Sequence, residues 1–177
     1  MTEFGREYGE GLYALCREER MEADVLNEIH ALSQAFGENS AFLHLLANMS
    51  LSKEERVKIV DDTLKGNIHE YVLNFIKILV ERGAIHEFSE CVKAYQASYN
   101  RDHQVAEAEV TTAKPLTDGQ KTKLIEKLRS MSGREIVIKA KIDPSVLGGI
   151  LLEMDGKRYD NTVLNRLKTI RQAMAGE

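Results

Sequence analysis

A chain of 177 residues, 29% charged and 43% hydrophobic, is long enough to bury one large core or two small ones, and its composition excludes disordered and fibrous classes. The net charge of −4 conceals a split, since residues 1–102 hold 11 Lys+Arg against 18 Asp+Glu (net −7) and residues 103–177 hold 13 against 10 (net +3). No apolar run approaches the roughly 18–20 residues of a membrane-spanning helix, and the opening Met-Thr-Glu-Phe-Gly-Arg-Glu lacks the basic and apolar blocks of a signal peptide, so a cytosolic protein without direct membrane insertion is expected.

Residues 1–102 contain no proline and read as helix throughout. A first helix over 3–19 places Phe4, Tyr8, Leu12, Leu15 and Cys16 on one face. A second over 23–36 uses Leu26, Ile29 and Leu32, with Gly37 suited to a C-terminal cap. A third over 40–49 is capped by Asn39 or Ser40. The fourth opens at Ser50 or Ser52, where Ser52 and Glu55 fit a capping box, and runs to Leu64. The fifth covers 68–82 and stops at Gly83, and the sixth covers 86–101 with Phe88, Val92 and Tyr95 on one side. Short connections between six helices predict a compact bundle.

After Arg101 the period changes from helical to alternating. Val105, Glu107, Glu109 and Thr111 alternate with Ala106, Ala108 and Val110, the period of a strand. Pro115 breaks the chain, and Thr117 or Asp118 begins a helix with Leu124, Ile125 and Leu128 inward. Residues 135–142 alternate again, 149–154 form a further strand, and Asp155-Gly156 is hairpin turn chemistry. A final helix is predicted from about Asp160, with Tyr159 and Leu164 as a hydrophobic staple and Val163, Leu167, Ile170 and Met174 inward. The expected architecture is therefore mainly α, a six-helix bundle over 1–102 followed by a small α/β domain over 103–177.

Candidates for chemistry have plainer readings. His69-Glu70 lacks a second histidine at zinc-site spacing, and His86 is followed four residues on by Glu90 instead. His30, His44 and His103 are scattered. There is no phosphate loop of the G-x-x-x-x-G-K-[ST] type, and no nucleophile–base pair suggests itself, so neither a cofactor nor catalysis is expected. Cys16 and Cys91 stand far apart, outside any C-x-x-C, and read as buried thiols of a reducing compartment. The cations of the second half include Lys139, Lys141, Lys157 and Arg158 but no interleaved aromatic platform, which argues against nucleic acid.

The positive signal concerns recognition. The fifth helix is apolar nearly all round: Val72, Phe75, Ile76 and Leu79 form one stripe, Leu73 and Val80 a second, Tyr71 and Ile78 a third. A bundle helix with one exposed side needs a single stripe. Two readings fit, a central helix enclosed by its neighbours or an apolar groove that receives a partner helix. In the first helix Gly5, Gly9 and Gly11 each cost about 1 kcal/mol against alanine, and small residues also permit close approach.

Four segments carry a resemblance, the first being a C-terminal signature in two parts. Asp143-Pro-Ser-Val-Leu-Gly148-Gly149-Ile-Leu-Leu fits D-x-x-[LV]-L-G-G-x-x-L, and Tyr159-Asp160-Asn-Thr162-Val-Leu-Asn-Arg-Leu167 fits Y-D-x-[ST]-V-x-x-x-L, with threonine where serine is commoner. Tyr8-Gly-Glu-Gly-Leu-Tyr-Ala-Leu15 is similar to Y-A-x-A-L-[FY]-x-[LA], with glycines where alanines are usual. Leu73 to Gly83 and Val110 to Thr117 supply the other two. Together they resemble the delta subunit of the F-type ATP synthase, whose mitochondrial counterpart is the oligomycin-sensitivity-conferring protein. The resemblance implies a non-catalytic stator subunit. It would be peripheral on the cytoplasmic side of the membrane, linking the alpha/beta head to the b-subunit peripheral stalk. It implies a groove between the first and fifth helices for the N-terminal helix of an alpha subunit, here assigned to Tyr8, Leu12, Leu15, Leu73, Ile76 and Val80. It implies that the C-terminal domain meets the C-terminal ends of b subunits. The alternative is a free-standing helical adaptor or regulator outside the synthase.

Overall fold

The computed structural model describes residues 2–163 and residue 165. The chain divides into two compact units, Met1–Asp102 and His103–Glu177.

In the first unit the elements are α1 (Glu3–Glu18), α2 (Glu22–Glu38), α3 (Ser40–Ala47), α4 (Lys53–Leu64), α5 (Glu70–Glu81), a 3-10 turn (Ile85–Glu87) and α6 (Phe88–Asp102). Local chemistry sets most starts. Thr2 accepts from the Gly5 N–H at the head of α1, and Ser52 and Glu55 close a reciprocal capping box on α4. His69 Nδ1 accepts from Tyr71 N–H at 3.2 Å, so α5 begins at Glu70, after the predicted start. Gly37 does not end α2, which runs on to Glu38. Asn39 closes α2 through its backbone and opens α3 through its side chain, which accepts from Phe42 N–H.

The core of this unit centres on Cys16, Ile29, Leu46, Val60, Val72, Ile76, Leu79, Val80 and Tyr95, all fully buried. Tyr95 donates its hydroxyl to the Glu22 carbonyl at 3.0 Å and meets the Tyr13 ring edge-on. Arg56 is buried among these apolar groups, 3% exposed. Its Nη1 donates to the carbonyls of Leu46 and Val80, at 3.3 and 3.2 Å, near the carboxyl ends of α3 and α5. A guanidinium there satisfies orphan carbonyls and faces the negative ends of two helix dipoles.

α1 and α6 pack at backbone distance. A Cβ on Gly9 would lie 2.3 Å from the Cys91 carbonyl oxygen and 2.7 Å from Ala94 Cβ, and one on Gly5 would lie 2.6 Å from Glu90 Cβ. These two glycines are thus the contact surface of α1, not weak points in it. The buried face of α1 is Gly5, Gly9, Leu12, Tyr13 and Cys16, rotated from the predicted one because hydropathy gives no credit to glycine.

Among the described residues the second unit is a four-stranded mixed sheet, order β2-β1-β3-β4, with the helix α7 packed on it. β1 (Val105–Thr112) pairs parallel with β2 (Glu135–Ile142), and α7 (Asp118–Ser132) makes the crossover. β3 (Gly149–Met154) returns antiparallel to β1, and β4 (Lys157–Thr162) pairs with β3 through the Asp155-Gly156 turn. Thr117 and Gln120 cap α7, and Gly133 ends it with φ +68°. Leu124, Ile125 and Leu128 of α7 pack on Ala106, Ala108 and Ile136.

The predicted final helix starts later than Asp160: Val163 and Asn165 are helical, and the Thr162 hydroxyl accepts from Asn165 N–H. Tyr159 and Asp160 belong to β4, where Tyr159 pairs with Leu152, because an edge strand after a tight turn overrides the local staple pattern. Leu164, Leu167, Ile170 and Met174 lie outside the described residues.

Candidate functional site

The fifth helix resolves its own ambiguity by dividing its stripes. Val72, Leu73, Phe75, Ile76, Leu79 and Val80 are buried, while Ile78 stays 43% exposed and Tyr71 is half-buried. Each of the two readings therefore holds for part of the helix. The second stripe and most of the first fill the core, and the third, together with Phe75, lines an open groove toward α1.

That groove has a volume of about 500 Å³. Its α1 wall is Glu7, Tyr8, Gly11, Leu12 and Leu15, and its α5 wall is Tyr71, Asn74, Phe75 and Ile78. Tyr8 stacks on Phe4 at 4.1 Å between ring centroids, which fixes one rim. Gly11 has nothing within 4 Å of an added Cβ, so the absence of a side chain there widens the cleft. The single charge on the lining is the Glu7 carboxylate.

Of the six residues assigned from sequence, Tyr8, Leu12 and Leu15 line this groove. Leu73, Ile76 and Val80 do not and face the core instead: Leu73 is 6% exposed and the other two fully enclosed. They sit on the opposite side of α5, about 100° per residue away from the Tyr71–Ile78 stripe. The lining residues that the assignment missed are Tyr71, Phe75, Ile78, Asn74, Gly11 and Glu7. The third stripe was the available signal, since Tyr71 and Ile78 exceed what a fully covered helix needs.

The C-terminal signature residues build backbone, not a pocket. Hydrogen bonding from the Ser145 hydroxyl, and then from the Ser145 N–H at 2.9 Å, holds the Asp143 carboxyl below the usual carboxylate range, and the Asp143 N–H donates to the Thr112 carbonyl. Gly149 has φ +83°, and a Cβ there would lie 2.3 Å from the Asn161 oxygen, so glycine permits the close approach of β4. The Gly148 carbonyl accepts from Val163 N–H. Asp160 accepts from Thr162 N–H at 3.0 Å, and the Thr162 hydroxyl accepts from Asn165 N–H at 3.1 Å. Leu167 lies outside the described residues.

Among the described residues no cluster of three or more His, Cys, Asp and Glu side chains could hold a metal. Burial pushes both thiols up, Cys91 to about 12, so neither is a nucleophile at neutral pH. No helix among the described residues is long and apolar enough to cross a membrane.

The described residues thus present an apolar groove on the helical unit and, separately, an α/β unit built around a mixed sheet. The sequence profile of one family, the ATP synthase delta (OSCP) subunit, matches residues 5–174, and the chain belongs to that family. It is 29% identical over 169 residues to a Clostridium kluyveri protein named ATP synthase subunit delta, covering 96% of this chain and 93% of that one. A Synechococcus elongatus protein of the same name is 31% identical over 170 residues, covering 95% and 94%. A chain in a cryo-EM structure of the Toxoplasma gondii mitochondrial ATP synthase hexamer shares the fold, with a TM-score of 0.72 at 17% identity, over 99% of this chain and 98% of that one. Membership makes this a structural, non-catalytic subunit.

Proposed function

We propose that this chain is the stator link of an F-type ATP synthase, on the cytoplasmic side of the membrane. In this reading residues 1–102 form a six-helix domain gripping the catalytic head, and residues 103–177 a domain gripping the peripheral stalk through the C-terminal ends of b subunits. The task is static: the head must not turn with the central shaft, so that proton flow is coupled to ATP synthesis. A helix laid in a groove resists torque by burying area, with no reaction required.

The observation that supports this most is the α1–α5 groove. It leaves Leu15 44% and Ile78 43% exposed on its two walls. An amphipathic helix, the alpha-subunit N-terminus, would cover that surface at roughly 25 cal/mol per Å² of apolar area. Anchoring side chains at such a site cost on the order of 2 kcal/mol when truncated.

The test is binding of the alpha-subunit N-terminal peptide to the full chain, measured by calorimetry. Leu15→Glu and Ile78→Glu should keep the thermal midpoint within a few degrees yet abolish measurable binding, because a docked partner would desolvate an unpaired charge. Leu73→Glu and Val80→Glu should instead unfold the first unit. If Ile78→Glu folds and binds normally, the partner sits elsewhere.

A further inference from the structure

The α5 wall of the first-unit groove starts from a histidine. His69 is the N-cap of α5, and its Nδ1 accepts from the Tyr71 N–H at 3.2 Å. Caps of this kind are usually Ser, Thr, Asp or Asn, whose oxygens accept near neutral pH whatever its small changes. An imidazole nitrogen accepts only while the ring is neutral with its proton on Nε2, and a second proton turns that acceptor into a donor. The cap of α5 is thus conditional, unlike the hydroxyl caps of Thr2 on α1 and Ser52 on α4.

What this cap holds is part of the groove. Tyr71 is the second residue of α5 and lines the cleft, while Ile78 lines it two turns further on. The His69 and Tyr71 rings also meet edge to face, 5.1 Å between centroids. Backbone and side chain of Tyr71 therefore both lean on one imidazole. His30 and His86 make side-chain contacts instead, with Gln96 at 2.6 Å and Glu87 at 3.6 Å, and neither lines the groove.

The surroundings of His69 favour opposite protonation states. The amino end of α5 presents N–H groups and the positive end of the helix dipole, which oppose a cation. Against the same residue stands Glu28 of α2, whose Oε1 accepts from the His69 N–H at 2.8 Å. Its Oε2 is buried and has no hydrogen-bond partner among the described residues. A buried carboxylate oxygen without a donor is costly, and an imidazolium N–H is a strong donor to such a group. Glu70, next in the chain and exposed, adds negative charge at the same end. The ring can cap α5 or carry a charge, but not both.

We propose that His69 is a proton-operated catch on the α1–α5 groove. Neutral, it caps α5 and holds Tyr71 in the wall; protonated, it leaves the Tyr71 N–H, turns to the Glu28 carboxylate and lets the first turn of α5 fray. Phe75 and Ile78 stay in place, so acid weakens docking without unfolding the unit. This is regulation of the groove described above, and it rests on the stator reading only for the identity of the helix that docks there.

The experiment follows the full chain at about pH 7.5 and about pH 5.5, either side of the range in which imidazoles titrate. Calorimetry measures binding of the alpha-subunit N-terminal peptide, and nuclear magnetic resonance reads exchange of the Tyr71 amide without peptide. His69→Asn keeps a capping oxygen that does not titrate in this range, and His69→Ala has no cap. Wild type should match His69→Asn at the higher pH and His69→Ala at the lower, losing about fivefold in affinity. Relative to His69→Asn at the same pH, its Tyr71 amide should exchange faster only at the lower pH. Glu28→Gln still accepts from the His69 N–H but attracts no cation, so it should move the loss to lower pH.

Equal pH dependence in wild type and His69→Asn overturns the proposal, as does a Tyr71 amide equally protected in both at the lower pH. Equal affinity of His69→Ala and His69→Asn at the higher pH overturns it too, because the cap then does not support the groove. A peptide that binds no variant at either pH defeats the stator reading instead, and Tyr71 exchange still decides the catch.

Discussion

The two grooves of this chain are alike in lining and opposite in construction. In the first unit the cleft lies between α1 and α5, on top of a core already complete without it. In the second, among the described residues, a cleft of about 300 Å³ lies between α7 and the β3–β4 face, lined by Leu124, Met131, Leu152 and Tyr159, beside a small core of Ala106, Ala108, Leu128 and Ile136. A partner lost from the first groove exposes a surface above a large core, whereas one lost from the second exposes a surface beside a small one. Stability and binding should therefore separate cleanly in the first unit and run together in the second.

The largest expected effect breaks the first unit while sparing the other. Gly9→Leu drives a side chain into the Cys91 carbonyl and Ala94, with backbone on the receiving side. Overpacking of this kind costs about 3 kcal/mol or more. Calorimetric melting should show the transition of the helical unit shifted down or lost, with the α/β transition unmoved. A shift of both transitions together would mean that the units do not fold independently.

A smaller effect separates the units by pH. Burial, followed by the hydrogen bond from Tyr13 to Asp102 at 3.0 Å and that carboxylate's charge, pushes the Tyr13 phenol up to about 12. The folded state therefore holds this proton more tightly than the unfolded chain does. The stabilisation is fully present below about pH 10 and is lost as pH rises through about 12. Its size is on the order of 2 kcal/mol, and Tyr13→Phe should flatten it in alkaline melts of the helical unit. Asp143 in the α/β unit works in the opposite sense. Its lowered value contributes stability above the usual aspartate range that disappears as pH falls below it.

Much of this architecture is legible in the residues. The change of period after Arg101, the capping box at Ser52, the helix start at Thr117 and the Asp155-Gly156 turn all follow from local chemistry. The less legible features depend on what lies across space. Hydropathy cannot show that Gly5 and Gly9 are contact surface while Gly11 is open, since the three differ only in what faces them. Arg56 reads as one more charge on α4 until the ends of α3 and α5 are seen to converge on it. The surplus apolar stripe on α5 announced a groove, but its wall turned out to be Tyr71, Phe75 and Ile78, because Leu73, Ile76 and Val80 serve the core. β4 was hidden because Tyr159 and Asp160 suit a helix start as well as an edge strand.

The smallest effect is the sharpest probe of the first groove, because it compares one residue type at two positions of one helix. Gly11 is helical, with open space where its side chain would be. Gly11→Ala removes backbone entropy from the unfolded chain and creates no clash, so it should stabilise the helical unit by up to about 1 kcal/mol. In a unit of this size that is a rise of roughly 4–8 °C in midpoint. The added methyl projects into the cleft, and a docked helix must move outward to clear it. Affinity for the alpha-subunit peptide should then fall several-fold while stability rises, and Gly11→Leu should abolish binding in a chain that still melts cooperatively. Gly9→Ala, two positions away, should lower stability, because its methyl meets a carbonyl oxygen instead of open space. A Gly11→Ala variant that gains stability and binds the peptide unchanged would place the partner's helix away from this wall of α1.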